Sequence, residues 1–140
     1  MSAESFLDTN VLIYQLDTSD PAKSAIADGL VREAIATGNA CISYQIVQEF
    51  LSVALRKAAV PLDVTSAREY LENVLAPLVR VSASVDLYHR ALGVQDRYRY
   101  GFHDSLIIAG ALEGGCRRLL SEDLQHGQVI GSLRIESPFR

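Results

Sequence analysis

The stretch Ser5-Phe6-Leu7-Asp8-Thr9-Asn10-Val11-Leu12-Ile13-Tyr14 sets a single carboxylate between two apolar runs. A buried, unpaired charge is costly and normally finds a partner or takes up a proton. Phe6-Leu7 reads as a short buried strand, and Asp8-Thr9-Asn10 as the turn that ends it. A helix from Val11 to Leu16 is expected next, with Asn10 suited to cap it. The stretch is therefore the opening of a strand–turn–helix unit, and the same alternation recurs downstream.

After Asp20-Pro21, the residues Ile26, Leu30, Ala34 and Ile35 repeat at helical spacing, with Pro21 in the first turn and Gly38 at the stop. Ala40-Cys41-Ile42-Ser43 reads as a second strand, followed by a helix from Gln45 to Ala58 with the stripe Ile46, Val47, Phe50, Leu51 and Ala54. A helix over Thr65–Leu75, a strand at Leu78–Val81 and a helix over Val85–Tyr98 come next. His103–Glu113 is an apolar helix stopped by Gly114-Gly115. Arg118–Ser121 and Leu133–Ile135 complete the expected strands. This alternation predicts an α/β fold with a mostly parallel sheet covered on both sides. In such folds functional groups gather beyond the carboxyl ends of the strands. Asp8 and Asp123 both follow strands.

The 140 residues suit one domain spanning 1–140, and no linker or repeat divides them. A net charge of −4 argues against coating nucleic acid by bulk electrostatics, though not against gripping it locally through a metal. No apolar run is long enough to span a bilayer, so no membrane partner is expected. The start of the chain lacks the pattern of a signal peptide, and two isolated cysteines, Cys41 and Cys116, suggest no disulfide framework. A reducing cytoplasm is the expected setting.

Four acids stand where acids are unexpected. Glu49 lies on a polar strip with Gln45, Ser52 and Arg56, opposite the apolar stripe; taken alone, it reads equally as a solvated helix face. Asp104 opens a nearly all-apolar helix, where an acid also gains from the helix dipole. Asp123, or its neighbour Glu122, follows the strand at 118–121 and could serve as an Asx-turn residue. Taken with Asp8, these acids converge from four elements. Like charges at 4 Å repel by roughly 1 kcal/mol in water and about 4 kcal/mol at an effective dielectric near 20, so the cluster calls for a cation. Oxygen ligands without a His or Cys cluster point to Mg²⁺, with Mn²⁺ as a substitute.

Four segments together resemble the PIN-domain nucleases, particularly the small toxins of bacterial toxin–antitoxin pairs of the VapBC type. They are Phe6–Leu12, Ile42–Phe50, His103–Ala109 and Leu120–Leu124, in family order and across nearly the whole chain. The resemblance implies a three-layer α/β/α sandwich with an acidic pocket at the strand ends. It matches Asp8, Glu49, Asp104 and Asp123 to the family's acidic quartet, and Asn10 and Ser121 to its accompanying polar positions. It also favours Asp123 over Glu122. The implied reaction is metal-dependent hydrolysis of RNA phosphodiesters. Asp8, Asp104 and Asp123 would hold Mg²⁺, and Glu49 would orient or deprotonate the attacking water. The implied partners are an antitoxin protein and a second copy of the chain.

Arg97-Tyr98-Arg99-Tyr100 alternates cations and aromatics just before the Asp104 helix and could contact RNA; its alternative is a helix end with packed tyrosines and solvated arginines. His103 reads as a helix-start residue. Apolar residues between Ala22 and Ile35, and around Leu71 and Leu75, exceed the obvious needs of one core face. They would serve a homodimer or antitoxin surface, or simply the core. An Asp-nucleophile phosphatase would need an acid where Asn10 stands. A receiver-like domain would need one after the strand ending at Val81. A non-catalytic RNA- or partner-binding module on the same fold is the remaining alternative.

Overall fold

The computed structural model describes residues 3–56 and 62–140. Strand β1 (Ser5–Leu7) is buried along its whole length and ends where Asp8 becomes the N-cap of α1 (Thr9–Leu16). The Asp8 carboxylate accepts the Thr9 N–H at 2.7 Å, so it is Asp8 and not Asn10 that caps this helix. The helix consequently begins two residues earlier than Val11. Its buried side carries Val11 and Leu12.

Helix α2 (Pro21–Thr37) has the predicted punctuation. Asp20 caps it by accepting the Lys23 N–H, and Gly38 closes it at φ 73°, a left-handed conformation that glycine adopts without a Cβ penalty. Then follow β2 (Ala40–Ser43) and α3 (Tyr44–Ala54). This helix ends at Ala54, with Leu55 as its cap, short of the predicted end at Ala58, which itself lies outside the described residues. Phe50 on α3 is fully buried and stacks on Tyr70 with ring centres 4.6 Å apart.

The predicted Thr65–Leu75 helix is α4 (Val64–Tyr70), extended by a π-helical turn over Leu71–Leu75 and a last short turn, α5 (Ala76–Leu78). The Ala76 N–H reaches back to the Leu71 carbonyl, and Pro77, which has no N–H, follows directly. Strand β3 (Val79–Val81), α6 (Val85–Tyr98) and α7 (Phe102–Glu113) match expectation to within a residue or so. After β4 (Arg118–Leu120) comes a strand that sequence reasoning missed, β5 (Val129–Ile130), paired with β6 (Leu133–Glu136). The two-residue loop Gly131-Ser132 joins them, with Gly131 at φ 60°. That Gly-Ser pair was the available signal for a hairpin.

The sheet order is β3-β2-β1-β4-β6-β5. Every neighbouring pair is parallel except the β5–β6 edge. Helices α6 and α7 pack on one face, and α1, α2 and α3 pack together on the other, so the sheet is the middle of three layers. At Gly110 α7 packs directly on Phe6 and Ser43, at a distance where a Cβ would make ordinary contact at 3.6 Å. From β1 the chain proceeds outward through β2 and β3, then returns to place β4 on the other side of β1. The carboxyl ends of β1 and β4 therefore flank the crevice where strand order reverses, the preferred ligand position in open α/β sheets.

Candidate active site

Asp8 leaves β1 directly into this crevice, and Ser121-Glu122-Asp123 leaves β4 beside it. Asp8 is only 5 % exposed. Burial pushes its carboxyl up to about 6. Hydrogen bonds from the Ser121 hydroxyl (2.6 Å) and the Thr9 N–H pull in the opposite direction, while the charges of Glu49 and Asp123 push it higher. Among the described residues no Lys or Arg pairs with it. Asp8 is thus a carboxylate whose charged form is disfavoured by burial first and by the nearby acids second.

Ser121 is the hub of the β4 side. Fully buried, its Oγ donates to Asp8 and accepts the Asp123 N–H at 3.2 Å, the Leu124 N–H at 3.4 Å and Asn10 Nδ2 at 3.4 Å. Asn10, freed from capping, clamps the loop. Its Nδ2 donates to Asp123 Oδ2 at 3.3 Å, and its Oδ1 accepts the Glu122 N–H at 3.2 Å. Glu122 faces the other way. It accepts from Lys23 Nζ at 2.5 Å and from the Tyr14 hydroxyl at 2.7 Å. Burial alone would raise its carboxyl, but these two partners hold it below the usual glutamate range. Lys23 also lies over the Tyr14 ring, 5.0 Å from its centre.

Glu49 arrives from α3. Thr9 Oγ1 donates to its Oε2 at 3.2 Å, and Gln45 Nε2 to its Oε1 at 3.1 Å. The same Gln45 amide donates to the His103 carbonyl at 3.0 Å, tying α3 to the first turn of α7. Gln45 is almost wholly buried, and its own Oε1 has no hydrogen-bond partner among the described residues. Neither Thr9 nor Gln45 stands out as a site residue from the sequence. Gln45 had a signal, since it lies one helical turn before Glu49; Thr9 had none.

Asp104 follows His103 in the first turn of α7 and is exposed, not buried with the rest of that helix. Its charge acts on the Tyr100 hydroxyl, whose pKa burial already raises. The structure thus brings Asp8, Glu49 and Asp123 together, while Asp104 stands one residue from the carbonyl that Gln45 holds and its charge is felt at Tyr100. Among the described residues, no three His, Cys, Asp or Glu side chains stand close enough to enclose a metal ion unaided.

Of the 97–100 stretch, Tyr98 and Tyr100 pack against the main core, and the Tyr100 hydroxyl donates to Gln128 Oε1. Arg97 and Arg99 are exposed. Arg99 is the left-handed cap of α6 at φ 67°, the one non-glycine residue with positive φ among those described. Cys41 and Cys116 are free and buried, with sulfurs 3.6 Å apart. No described helix is long and apolar enough to cross a membrane.

A mostly parallel α/β sandwich with carboxylates at the switch point is the class of fold that these elements define. Within that class the chain belongs to the PIN domain family, whose model matches residues 5–130. No curated protein sequence matches it. Among solved structures it is similar to DNA-bound VapBC from Salmonella typhimurium, with a TM-score of 0.68 and 18% identity over 97% of this chain and 98% of that one. It is also similar to VapBC2 from Rickettsia felis bound to a promoter DNA fragment, with a TM-score of 0.67 and 13% identity over 95% and 97%. The third is the Mycobacterium tuberculosis toxin VapC20, which cleaves the sarcin-ricin loop, with a TM-score of 0.61 and 18% identity over 85% and 89%. At such identities the likeness is one of fold.

Proposed function

We propose that the protein is a Mg²⁺-dependent ribonuclease and the toxin of a toxin–antitoxin pair. The observation that carries this reading is Asp8: a buried carboxylate at the switch point, raised to about 6 and facing Glu49 and Asp123 with no cationic side chain among the described residues to balance it. The oxygen donors of Asp8, Glu49 and Asp123 are of the kind that a hard divalent cation takes. Asp8, Asp104 and Asp123 would hold it with water or phosphate oxygens completing the shell, since among the described residues no three His, Cys, Asp or Glu side chains are placed to hold an ion by themselves. Such an ion, when bound, lowers the pKa of water and offsets charge on a phosphate.

The chain's own residues do the rest. Thr9 and Gln45 fix the Glu49 carboxylate at one oxygen each and leave it lone pairs with which to orient water or accept its proton. Ser121 and Asn10 hold Asp8 and Asp123 in place. Arg97 and Arg99 offer exposed cations toward a phosphate backbone.

The substrate and partners rest on the relatives. VapC20 is a sarcin-ricin loop cleaving toxin, and other similar structures are toxin–antitoxin complexes. Exposed Ile26 and Ile35 on α2, with Leu71 beyond α4, support an antitoxin or a second copy as a partner. Leu75, by contrast, belongs to the core. The setting of such a pair is the cytoplasm.

Purified protein incubated with structured RNAs should cleave them in Mg²⁺ and not in EDTA. Asp8→Asn, Glu49→Gln and Asp104→Asn should each lower the rate at least ~100-fold. Undiminished cleavage in any of them would remove that residue from the site. RNA that is bound but never cut would favour the non-catalytic module. Toxicity on expression, relieved by a small protein encoded alongside, tests the toxin role.

A further inference from the structure

The acid cluster occupies only part of the carboxyl edge. Beside Glu49 a cleft of about 430 Å³ runs along α3. The residues that give it chemistry are Gln45, Gln48 and Ser52 on the helix, Arg56 just past its end, and His103 on the opposite wall. The first four recur at intervals of three and four, so one polar strip of α3 faces the cleft. A second cleft, of about 300 Å³, adjoins it across Thr9 and Val53, which line both. That second cleft carries Asp17, Glu122 and Asp123. Arg56 is the one Lys or Arg lining either cleft among the described residues: it shares the α3 cleft with Glu49, while Asp17, Glu122 and Asp123 line the other.

A phosphate crossing the site finds its cationic partner at Arg56 in the α3 cleft, which also holds the Glu49 carboxylate. Arg56 is prepared for a phosphate. Its Nε donates to the Ser52 carbonyl at 2.8 Å, which orients the guanidinium, and among the described residues no carboxylate pairs with it. Gln48 is exposed at the rim of the cleft, where its amide can reach a base edge. The His103 ring stands edge-on to Phe102, 5.9 Å away, which fixes a flat surface beside the cleft. The volume suits one unpaired nucleotide, within the range of small-ligand pockets, and not a duplex.

We propose that the α3 cleft seats one unpaired nucleotide flanking the cleaved bond, with Arg56 on its phosphate and Gln48, Ser52 and His103 reading or stacking its base. The inference rests on the ribonuclease reading above. It makes the site directional and its sequence preference a property of α3.

The test uses Asp8→Asn protein in EDTA, so that nothing is cut, with fluorescently labelled short single-stranded RNA and anisotropy over a range of salt. Adding Arg56→Gln should weaken binding roughly tenfold and flatten the slope of log K against log salt by about 0.7, the loss of one phosphate contact. Arg90→Gln, which breaks only the surface pair with Glu113, should do neither. In otherwise wild-type protein, Gln48→Ala should broaden the base preference next to the cut in a randomised RNA pool. Unchanged affinity in Arg56→Gln, or an unaltered preference in Gln48→Ala, overturns the subsite while wild-type cleavage leaves the ribonuclease reading standing. A wild-type protein that neither binds nor cuts RNA overturns both.

Discussion

Replacing Asp8 by Asn removes the buried charge but keeps nearly the same shape, and its effect on stability should change with pH in a defined way. The Asp8 carboxyl titrates at about 6 in the folded protein against 3.8 in a free chain. The folded pKa lies above the unfolded one, so between these values the unfolded chain has released its proton and the folded protein has not. Stability therefore falls as pH rises from below 3.8 to about 6 and stays reduced above it. A shift of that size corresponds to about 3 kcal/mol at full development.

Asparagine carries no such penalty, but it has a cost of its own. Its amide would face Ser121 Oγ, which already accepts three N–H donors. That cost does not vary with pH, so the difference between variant and wild type isolates the charge. Urea unfolding in EDTA should show Asp8→Asn gaining about 2 kcal/mol relative to wild type on going from pH 4 to pH 8. A difference that is flat across this range would refute the claim that burial and neighbouring acids strain Asp8. Millimolar Mg²⁺ at pH 8 should stabilise the wild type and leave the variant where it was, because only the wild type gains from binding.

Ser121→Ala strips Asp8 of its hydroxyl donor and strands three N–H groups; chemical denaturation should show a loss of about 2 kcal/mol or more. Phe50→Ala, which empties a fully buried site against Tyr70, should cost about 3–5 kcal/mol in the same assay. Gly38→Ala forces a Cβ to 2.9 Å from an Arg80 nitrogen at a left-handed position, and thermal melting should register a loss of about 1 kcal/mol. Arg99→Gly should do the reverse, gaining about 1 kcal/mol by relieving the left-handed arginine. If that arginine is kept for RNA, the same variant should bind RNA more weakly, as anisotropy would show.

Features that depend on a residue and its near neighbours were legible in the sequence. The helical spacing of α2 and α3 and the apolar run of α7 mark the helices, and the Asp20 cap and Gly38 stop are local chemistry. The side of α2 facing the core is not the expected one, since Ile26 and Ile35 are exposed and Ala27, Val31 and Ala34 are buried. Asp8 was legible because an acid at the end of a buried strand is costly unless a ligand or a partner meets it. The other misses are contacts between distant segments. Asn10 looks like a cap by type, yet its amide is claimed by Ser121, Glu122 and Asp123, more than a hundred residues away. Glu122 and Asp123 are indistinguishable by type. Their directions are set by Lys23 and Tyr14 drawing one carboxylate toward α2 and α1, while Asn10 holds the other. The order of the strands decides which loops meet at all, because β4 must return beside β1 before Ser121 can reach Asp8. The choice of acid in this crevice is a property of the sheet's closure and not of the acidic pair itself.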